Sequence, residues 1–194
     1  DGNNEHEPVG RVRRLRDLDG DGRMDSSEIF LDNLILPRAI APAQDGLLVV
    51  EPPHLVFCRD TNGDGRSDSR RVLASGFGGL ENPEHAGNGL RYGIDNYYET
   101  SQHNRAFRLR GEELLSRRGG AHGQWGVTRD DYGRLYYSPN SDPLIGDAFP
   151  KHYAARNPES GGINGIPERY AHDRKTFPVR KNPGVNRGYQ SRTL

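Results

Sequence analysis

A nine-residue acidic motif occurs twice in the chain, and this repeat constrains the fold more than any other feature of the sequence. The stretch DLDGDGRMD (residues 17–25) recurs 43 residues later as DTNGDGRSD (residues 60–68). Short apolar runs flank each copy, so each acidic stretch is predicted to be the loop of a β-hairpin. A period of about 40–50 residues built from short strands is typical of the blades of a β-propeller.

A second repeated unit indicates a similar period. A turn that contains Asp and leads into a short apolar or aromatic strand occurs three times, with its aspartates at Asp45, Asp95 and Asp131. The two intervals, 50 and 36 residues, average 43. Helical repeats would show apolar residues at a spacing of about 3.6 between turns, and the chain shows almost none of this pattern.

Composition agrees with short strands joined by many turns, because 25 of the 194 residues are Gly and 13 are Pro. We therefore predict an all-β fold, a β-propeller fragment of about three blades. The blades are predicted at residues 9–77, 78–118 and 119–144, with a loop-rich excursion at residues 145–194. A propeller needs about four to eight blades, and the chain starts at Asp1 rather than Met, so we expect it to be part of a longer polypeptide.

Charge and cysteine content argue against several classes of protein. Lys and Arg together number 27, as do Asp and Glu, so the net charge is zero and no excess positive field attracts nucleic acid. The single cysteine, Cys58, excludes an internal disulfide framework and a multi-cysteine metal or haem site. No apolar run reaches the roughly 18 residues that cross a bilayer, so no transmembrane segment is predicted here.

The first acidic loop matches the twelve-residue calcium-binding loop at every ligand position. Positions 1, 3, 5, 7, 9 and 12 are taken by Asp17, Asp19, Asp21, Arg23, Asp25 and Glu28. Alternating carboxylates enclose one hard cation, the residue at position 7 offers its backbone carbonyl, and the final Glu binds through both oxygens. We predict a structural calcium site, and the alternative is a solvated acidic hairpin without an ion.

The second acidic loop matches the same pattern less completely. The residues at its ligand positions are Asp60, Asn62, Asp64, Arg66 and Asp68. Arg71 stands where the final Glu should be, so we expect weaker calcium binding or a ligand from elsewhere. We expect these loops to bind calcium with micromolar to millimolar affinity. Such affinity fits a periplasmic or extracellular module, since calcium sites of extracellular modules have dissociation constants of about 10⁻⁴ to 10⁻³ M.

Two Gly-rich turns precede predicted inner strands and carry candidate functional side chains. The innermost strand of a blade starts near the propeller axis, where ligands usually bind. The first turn carries His85, a candidate general base, and Asn88, a candidate substrate ligand. The second carries Gln124, Trp125 and Arg129, which are candidates for binding a planar cofactor. Trp125 is equally well explained as a core residue of its blade.

Two later loops add polar candidates. Asn140 and Asp142 lie in SPNSDPL, and Asn186 and Arg187 lie in NPGVNRGYQ. Asn140, Asp142 and Asn186 are candidate substrate ligands. The Arg187 guanidinium can hold a carboxylate of a cofactor through two parallel hydrogen bonds, and it can equally pair with a structural Asp.

These segments resemble a known family. GRVRRLRDLDGDGRMD, NGLRYGIDN, GQWGVTRDDYGRLYYSPNSDPL and NPGVNRGYQ are similar to the membrane-bound dehydrogenase-type domain of planctomycetes and verrucomicrobia, over nearly the whole chain. That family resembles the glucose/sorbosone dehydrogenases, propellers that carry pyrroloquinoline quinone (PQQ), and often continues into a haem-binding cytochrome c domain. The resemblance implies a six-bladed propeller that oxidises a sugar or alcohol and passes electrons to a cytochrome c domain of the same parent polypeptide.

The resemblance also implies a role for His85. HAGNGLRYGIDNYY is similar to the segment that supplies the proton-accepting His in glucose dehydrogenase-like enzymes, although Gly87-Asn88-Gly89 replaces the usual Gly-Gly-Arg and Asn96 replaces a turn Gly. No CxxCH motif occurs, so the electron acceptor is expected outside this chain. Two alternatives stay open, a non-catalytic, calcium-stabilised propeller that binds glycans or proteins, and a calcium-dependent hydrolase or lactonase.

Overall fold

The structure is a computed structural model that describes residues 4–119, 122–154, 156–159, 164–173 and 175. Within these ranges the strands form four antiparallel sheets, one with two strands and three with four. The described helices are a 3₁₀ turn at Pro83–His85 and a single turn, α1, at Lys151–Ala154. The all-β class predicted from the sequence is confirmed. No helix in the described ranges is long and apolar enough to cross a membrane.

The chain begins with a two-stranded hairpin, here called the first hairpin, and continues into three sheets, here called blades 1 to 3. The first hairpin consists of β1 (Gly10–Arg16) and β2 (Ser26–Leu34). Blade 1 consists of β3 (Ala39–Ala43), β4 (Gly46–Glu51), β5 (His54–Arg59) and β6 (Ser69–Ser75). Blade 2 consists of β7 (Asn88–Tyr92), β8 (Tyr98–Ser101), β9 (Arg105–Arg110) and β10 (Glu113–Arg118). Blade 3 consists of β11 (Val127–Arg129), β12 (Leu135–Tyr137), β13 (Ile145–Asp147) and β14 (Glu168–Arg169).

Each blade is an up-and-down meander, in which every strand pairs with the strands next to it in the sequence. This is the strand order of a propeller blade. Both acidic loops connect antiparallel neighbours, β1 to β2 and β5 to β6, as the flanking apolar runs predict. The structure is therefore that of a propeller-like fragment, and the four sheets do not close into a barrel.

The blade boundaries differ from the predicted ones in two places. Residues 9–77 contain the first hairpin as well as the complete blade 1, so this range holds six strands. Blade 3 continues past residue 144 through β13 and β14, inside the segment predicted to be irregular. These strands are three and two residues long and lie between Gly- and Pro-containing loops, so they are too short to give a visible alternation in the sequence.

Blade 1 is apolar on both faces, and this property organises the fold. Successive residues of a strand point to opposite faces, so Leu48 and Val50 face blade 2 while Val49 faces the first hairpin. All three side chains are completely buried. The cluster toward blade 2 also contains Phe77 and Phe107, whose rings are 5.7 Å apart. Each face of blade 1 therefore needs a neighbour that removes it from water.

We predict that Leu48→Ala lowers the free energy of unfolding by about 2–5 kcal/mol, because it removes a fully buried side chain and leaves a cavity between two blades. Leu15→Ala is the matched control, since the Leu15 side chain is 53% exposed, and its effect should stay within about 0.5 kcal/mol. Urea unfolding followed by circular dichroism measures both. Equal effects of the two substitutions would contradict the packing described here.

Candidate functional site

The loop before β7 holds His85 in a defined position at the end of the blades where the inner strands begin. Pro83 opens the 3₁₀ turn, and the His85 backbone N–H donates to the Asn82 carbonyl at 3.0 Å. The loop then folds back on the end of blade 1, since the Gly87 N–H donates to the Phe77 carbonyl at 2.7 Å. Gly78, at φ +89°, packs so closely on this loop that a Cβ there would lie 2.8 Å from the Ala86 Cα. The His85 side chain itself is exposed to solvent.

Hydrogen bonds join this loop to the loop before β11. The buried Asn88 amide donates to the Ala86 carbonyl at 3.2 Å and to the Gln124 carbonyl at 2.8 Å. The Gln124 amide donates to the Glu84 carboxylate at 3.4 Å. The structure therefore brings His85, Asn88 and Gln124 to one end of the blades, as predicted. Asn88 and Gln124 connect the two loops, and the exposed polar side chains of the first loop include Glu81, Asn82, Glu84 and His85.

Trp125 lies in the loop that leads into β11. Its side chain is 49% exposed and lines an open recess of about 350 Å³. Aromatic and apolar side chains of the same blade, including Tyr136 and Leu144, line the rest of the recess. Trp125 is thus not a buried core residue, and the recess that it lines does not include His85.

Arg129, predicted to bind a cofactor beside Trp125, is placed elsewhere by the structure. It ends β11, at the opposite end of that strand from the loop that carries Gln124. Its guanidinium donates to the Gly133 carbonyl at 2.7 Å and lies 3.6 Å from the Glu99 carboxylate, with 8% of the side chain exposed. Arg129 and the loop that carries Gln124 therefore lie at opposite ends of a three-residue strand.

The remaining candidates are spread over the later loops. Asn140 is exposed in a turn, whereas Asp142 is buried and forms an ion pair with Arg169 at 2.9 Å. Asp142 thereby anchors β14 to the loop after β12. Asn186 and Arg187 lie outside the described residues.

A buried cluster of charged groups between blades 2 and 3 was missed by the sequence analysis. Its members are Asp95, Glu99, Arg117, His122, Arg129 and Asp147. Arg117 bridges Asp95 at 2.5 Å and Glu99 at 3.1 Å, and His122 Nε2 lies 3.3 Å from the Asp147 carboxylate. The cluster surrounds a cavity of about 10 Å³, roughly the space that one water molecule occupies. Nothing in the local sequence indicates that these residues, from strands, a turn and a loop, come together.

The pKa values in this cluster reflect its ion pairs. Burial acts to raise the pKa of Asp95, but hydrogen bonds from the Arg117 guanidinium and the Tyr97 N–H outweigh it and hold the pKa below its usual range. Burial and the neighbouring Asp147 carboxylate raise the pKa of Tyr137, whose hydroxyl donates to Asp147 at 2.9 Å. Both effects favour the charge arrangement seen in the structure, with Asp95 ionised and Tyr137 protonated.

The first acidic loop converges its carboxylates on one point. Ligand oxygens of Asp17, Asp19 and Asp21 all lie within 4.8 Å of one another. Asp17 accepts hydrogen bonds from the Gly20 N–H at 2.7 Å and the Gly22 N–H at 2.9 Å, which lower its pKa. Both glycines have φ above +79°, a conformation that permits the tight loop. In the described part of the chain no Lys, Arg or His forms an ion pair with these three carboxylates.

The other predicted ligands of the first loop are arranged differently. One Asp25 oxygen accepts the Leu18 N–H at 2.7 Å, so Asp25 closes the loop. Glu28 lies on β2 and forms an ion pair with Arg14, its cross-strand partner, at 2.6 Å. It is therefore not placed with the other three carboxylates. Arg23 occupies the position that offers its backbone carbonyl, and its N–H donates to Asp21 at 2.7 Å.

The second acidic loop repeats this geometry. Asp60 accepts the Gly63 N–H at 2.7 Å and the Gly65 N–H at 2.8 Å, as Asp17 does in the first loop. Asp64 accepts the Arg66 N–H at 2.8 Å, and Asn62 accepts the Asp64 N–H at 2.9 Å. Asp68 accepts from both the N–H and the hydroxyl of Thr61, which closes the loop. Arg71 lies on β6 and pairs with Glu112 at 3.1 Å.

These features define the class of protein, an all-β, propeller-like domain with two matched acidic hairpin loops. Within that class the family is known. The chain belongs to the DUF7133 family, described as a domain of unknown function, whose model matches residues 1–193. A search of curated proteins finds no match to the chain.

We predict that Asp95→Asn makes the free energy of unfolding depend less on pH in the acidic range. The pKa of Asp95 is lowered on folding, so its contribution is present above the unfolded-state pKa, near 3.9, and is lost as the pH falls through the folded-state value. The variant should be less stable than wild type at pH 7 and should lose less stability below about pH 4. Asp131→Asn, at an exposed turn, is the control. The free energy of unfolding is measured between pH 2.5 and 7. A constant difference between Asp95→Asn and wild type over this range would contradict the expectation.

Proposed function

We propose that this domain is a calcium-stabilised propeller module, and that the end bearing His85 binds a sugar or another polyol. The observation that supports calcium is the convergence of three carboxylates that have no cationic partner in the described part of the chain. Mutually repelling carboxylates held this close are stabilised by a hard divalent cation. Asp17, Asp19 and Asp21 would hold the ion, with the Arg23 carbonyl as a further ligand.

The polyol part of the proposal rests on the polar groups at the end of the blades where the inner strands β7 and β11 begin, here called the axial end. Exposed side chains of this loop include the Glu84 carboxylate and the His85 imidazole, beside the amide pair of Asn88 and Gln124, with Glu81 and Asn82 also exposed. A carboxylate and an imidazole accept hydrogen bonds from hydroxyl groups, so this set suits an uncharged ligand rich in hydroxyls. Calcium in a hairpin between outer strands would stabilise the fold rather than touch this ligand.

The described residues do not fit PQQ. This cofactor carries three carboxylates, which call for Arg or Lys side chains. Arg129, one predicted anchor, is committed to Glu99 and the Gly133 carbonyl, and Arg187 lies outside the described residues. No step through the quinone is therefore derived from this geometry.

The second candidate function is oxidation of the bound polyol by the parent protein, as the resemblance implies. Its structural support is the exposed position of His85 at the start of the inner strands, where an imidazole can accept a hydroxyl proton. The electron acceptor would be the cytochrome c domain that the resemblance implies in the parent polypeptide, which fits a periplasmic or extracellular location. The hydrolase alternative has less support, because the acidic triad found among the described residues lies in the first hairpin and not at the axial end.

We expect calcium to bind with a dissociation constant of about 10⁻⁴ to 10⁻³ M and to raise the melting temperature. The double variant Asp19→Asn, Asp21→Asn should weaken binding at least about tenfold, because it removes two of the three convergent charges. Asp131→Asn, Glu159→Gln makes the same change in charge at exposed positions outside both acidic loops and should bind as wild type does. Isothermal titration and thermal unfolding in calcium and in EGTA measure these effects. Absence of binding at 5 mM calcium would overturn the calcium proposal.

The ligand proposal is tested on the parent protein with a panel of sugars and alcohols. We expect one polyol to bind, and His85→Ala to weaken that binding about tenfold, which titration calorimetry detects without any turnover. If the parent protein also reduces a dye when supplied with PQQ, the same variant should lower kcat by about 10²-fold or more. Arg110→Ala, at an exposed position on β9, is the control. Wild-type binding and turnover in His85→Ala would remove His85 from the site.

A further inference from the structure

The first hairpin is the structural equivalent of the outer half of blade 1. The acidic loop follows Arg16 at the end of β1 and Arg59 at the end of β5, and each Arg pairs across the hairpin with a Ser that begins the next strand. Both hairpins also carry a register shift at the same place, between Val12 and Arg13 and between Leu55 and Val56. These positions differ by 43 residues, the spacing of the acidic motifs.

The two hairpins pack on their neighbours in the same way. Leu34 after the first loop and Phe77 after the second, 43 positions apart, are both completely buried. Leu34 packs against blade 1 together with Val12, and Phe77 packs against blade 2 together with Leu55. The first hairpin therefore occupies the position of the two outer strands of a further blade that precedes blade 1.

The inner half of that blade is not among the described residues. In blade 1 the edge of β5 that faces away from β6 is hydrogen-bonded to β4, whereas β1 pairs with β2 as its one described neighbour. Among the described residues this seven-residue strand edge has no partner, and such an edge is a template for another strand.

An uncovered apolar face lies beside this edge. Ile40 on β3 pairs across the sheet with Val49, so the two side chains share the face that looks toward the first hairpin. Val49 is fully buried under the hairpin, but Ile40, on the innermost strand, is 49% exposed. Pro42, two residues further along β3 on the same face, is also exposed. The inner strands of the preceding blade would cover both.

The arginines of β1 indicate the charge of the segment that would pair with this edge. In blade 1, Arg59 lies 3.6 Å from Asp45, which sits in the turn between the inner strands β3 and β4. Arg16 is the equivalent of Arg59, so the equivalent turn should present a carboxylate to Arg16. A second copy of β1 is a poor partner, because β1 carries four arginines that would oppose one another in an antiparallel pair.

We propose that the free edge of β1 and the exposed Ile40 face receive a β-hairpin of the parent polypeptide. This hairpin supplies the two inner strands of the blade, runs antiparallel to β1, and places an acidic turn residue against Arg16. A two-stranded hairpin is the expected occupant because blades 1 to 3 each have four strands and the first hairpin supplies two. The inference concerns assembly and does not depend on the proposed calcium or polyol sites.

The test uses a synthetic peptide that copies residues 38–51, because these residues form the inner hairpin of blade 1. We expect saturable one-to-one binding to the 194-residue chain, with slower hydrogen exchange of the β1 amides in the complex. The peptide with Asp45→Arg, and the protein with Arg16→Glu, should each weaken binding about tenfold, and the two changed partners together should restore it. Arg110→Glu makes the same change in charge on blade 2 and should bind as wild type does.

Three results would overturn the proposal. One is the absence of saturable binding by a folded chain. Another is binding that leaves the β1 amides unprotected from hydrogen exchange. The peptide would then be replacing its own counterpart, the β3–β4 hairpin, in blade 1. The third is a concentration-dependent dimer whose β1 amides are protected without peptide, which would show that a second copy occupies the edge.

Discussion

The structure depends on one constraint, the burial of both faces of blade 1. Its central strands are apolar at consecutive positions, so Leu48, Val49 and Val50 cannot all leave water unless a sheet packs on each side. Blade 2 covers one face and the first hairpin covers the other. A sheet that is apolar on both faces favours a stack of blades, and the right-handed twist of each sheet turns such a stack into a ring.

The two interfaces beside blade 2 differ in chemistry. Toward blade 1 it presents Tyr98 and Phe107 to an apolar cluster, and toward blade 3 it presents Glu99 to a buried network of arginines, His122 and Asp147. A buried charge network is sensitive to geometry, because each ion must keep its partners. The contacts of Glu99 with His122 and Arg129 thus join blade 2 to blade 3 and to the loop before β11.

Sequence reasoning succeeded where the determinant is local. The acidic loops, their flanking strands and the loop carrying His85 were predicted because Gly, Asp and alternating apolar residues act within about ten positions. It did not foresee that His122 and Arg129 meet Glu99, because these ion pairs between blades join residues that are 23 and 30 positions apart. The strands β13 and β14 of blade 3 were not predicted for another reason. They are three and two residues long, which is too short to show an alternating pattern.

The sequence by itself determined the all-β class, the period of 43 residues and the shape of the acidic loops, because these follow from local turn chemistry and strand alternation. Only the tertiary structure decided which loops meet at the axial end and which charges are buried between blades. It also identified the first hairpin as half of a blade. Those features depend on which faces pack together, and the sequence of a single strand does not specify the element that covers it.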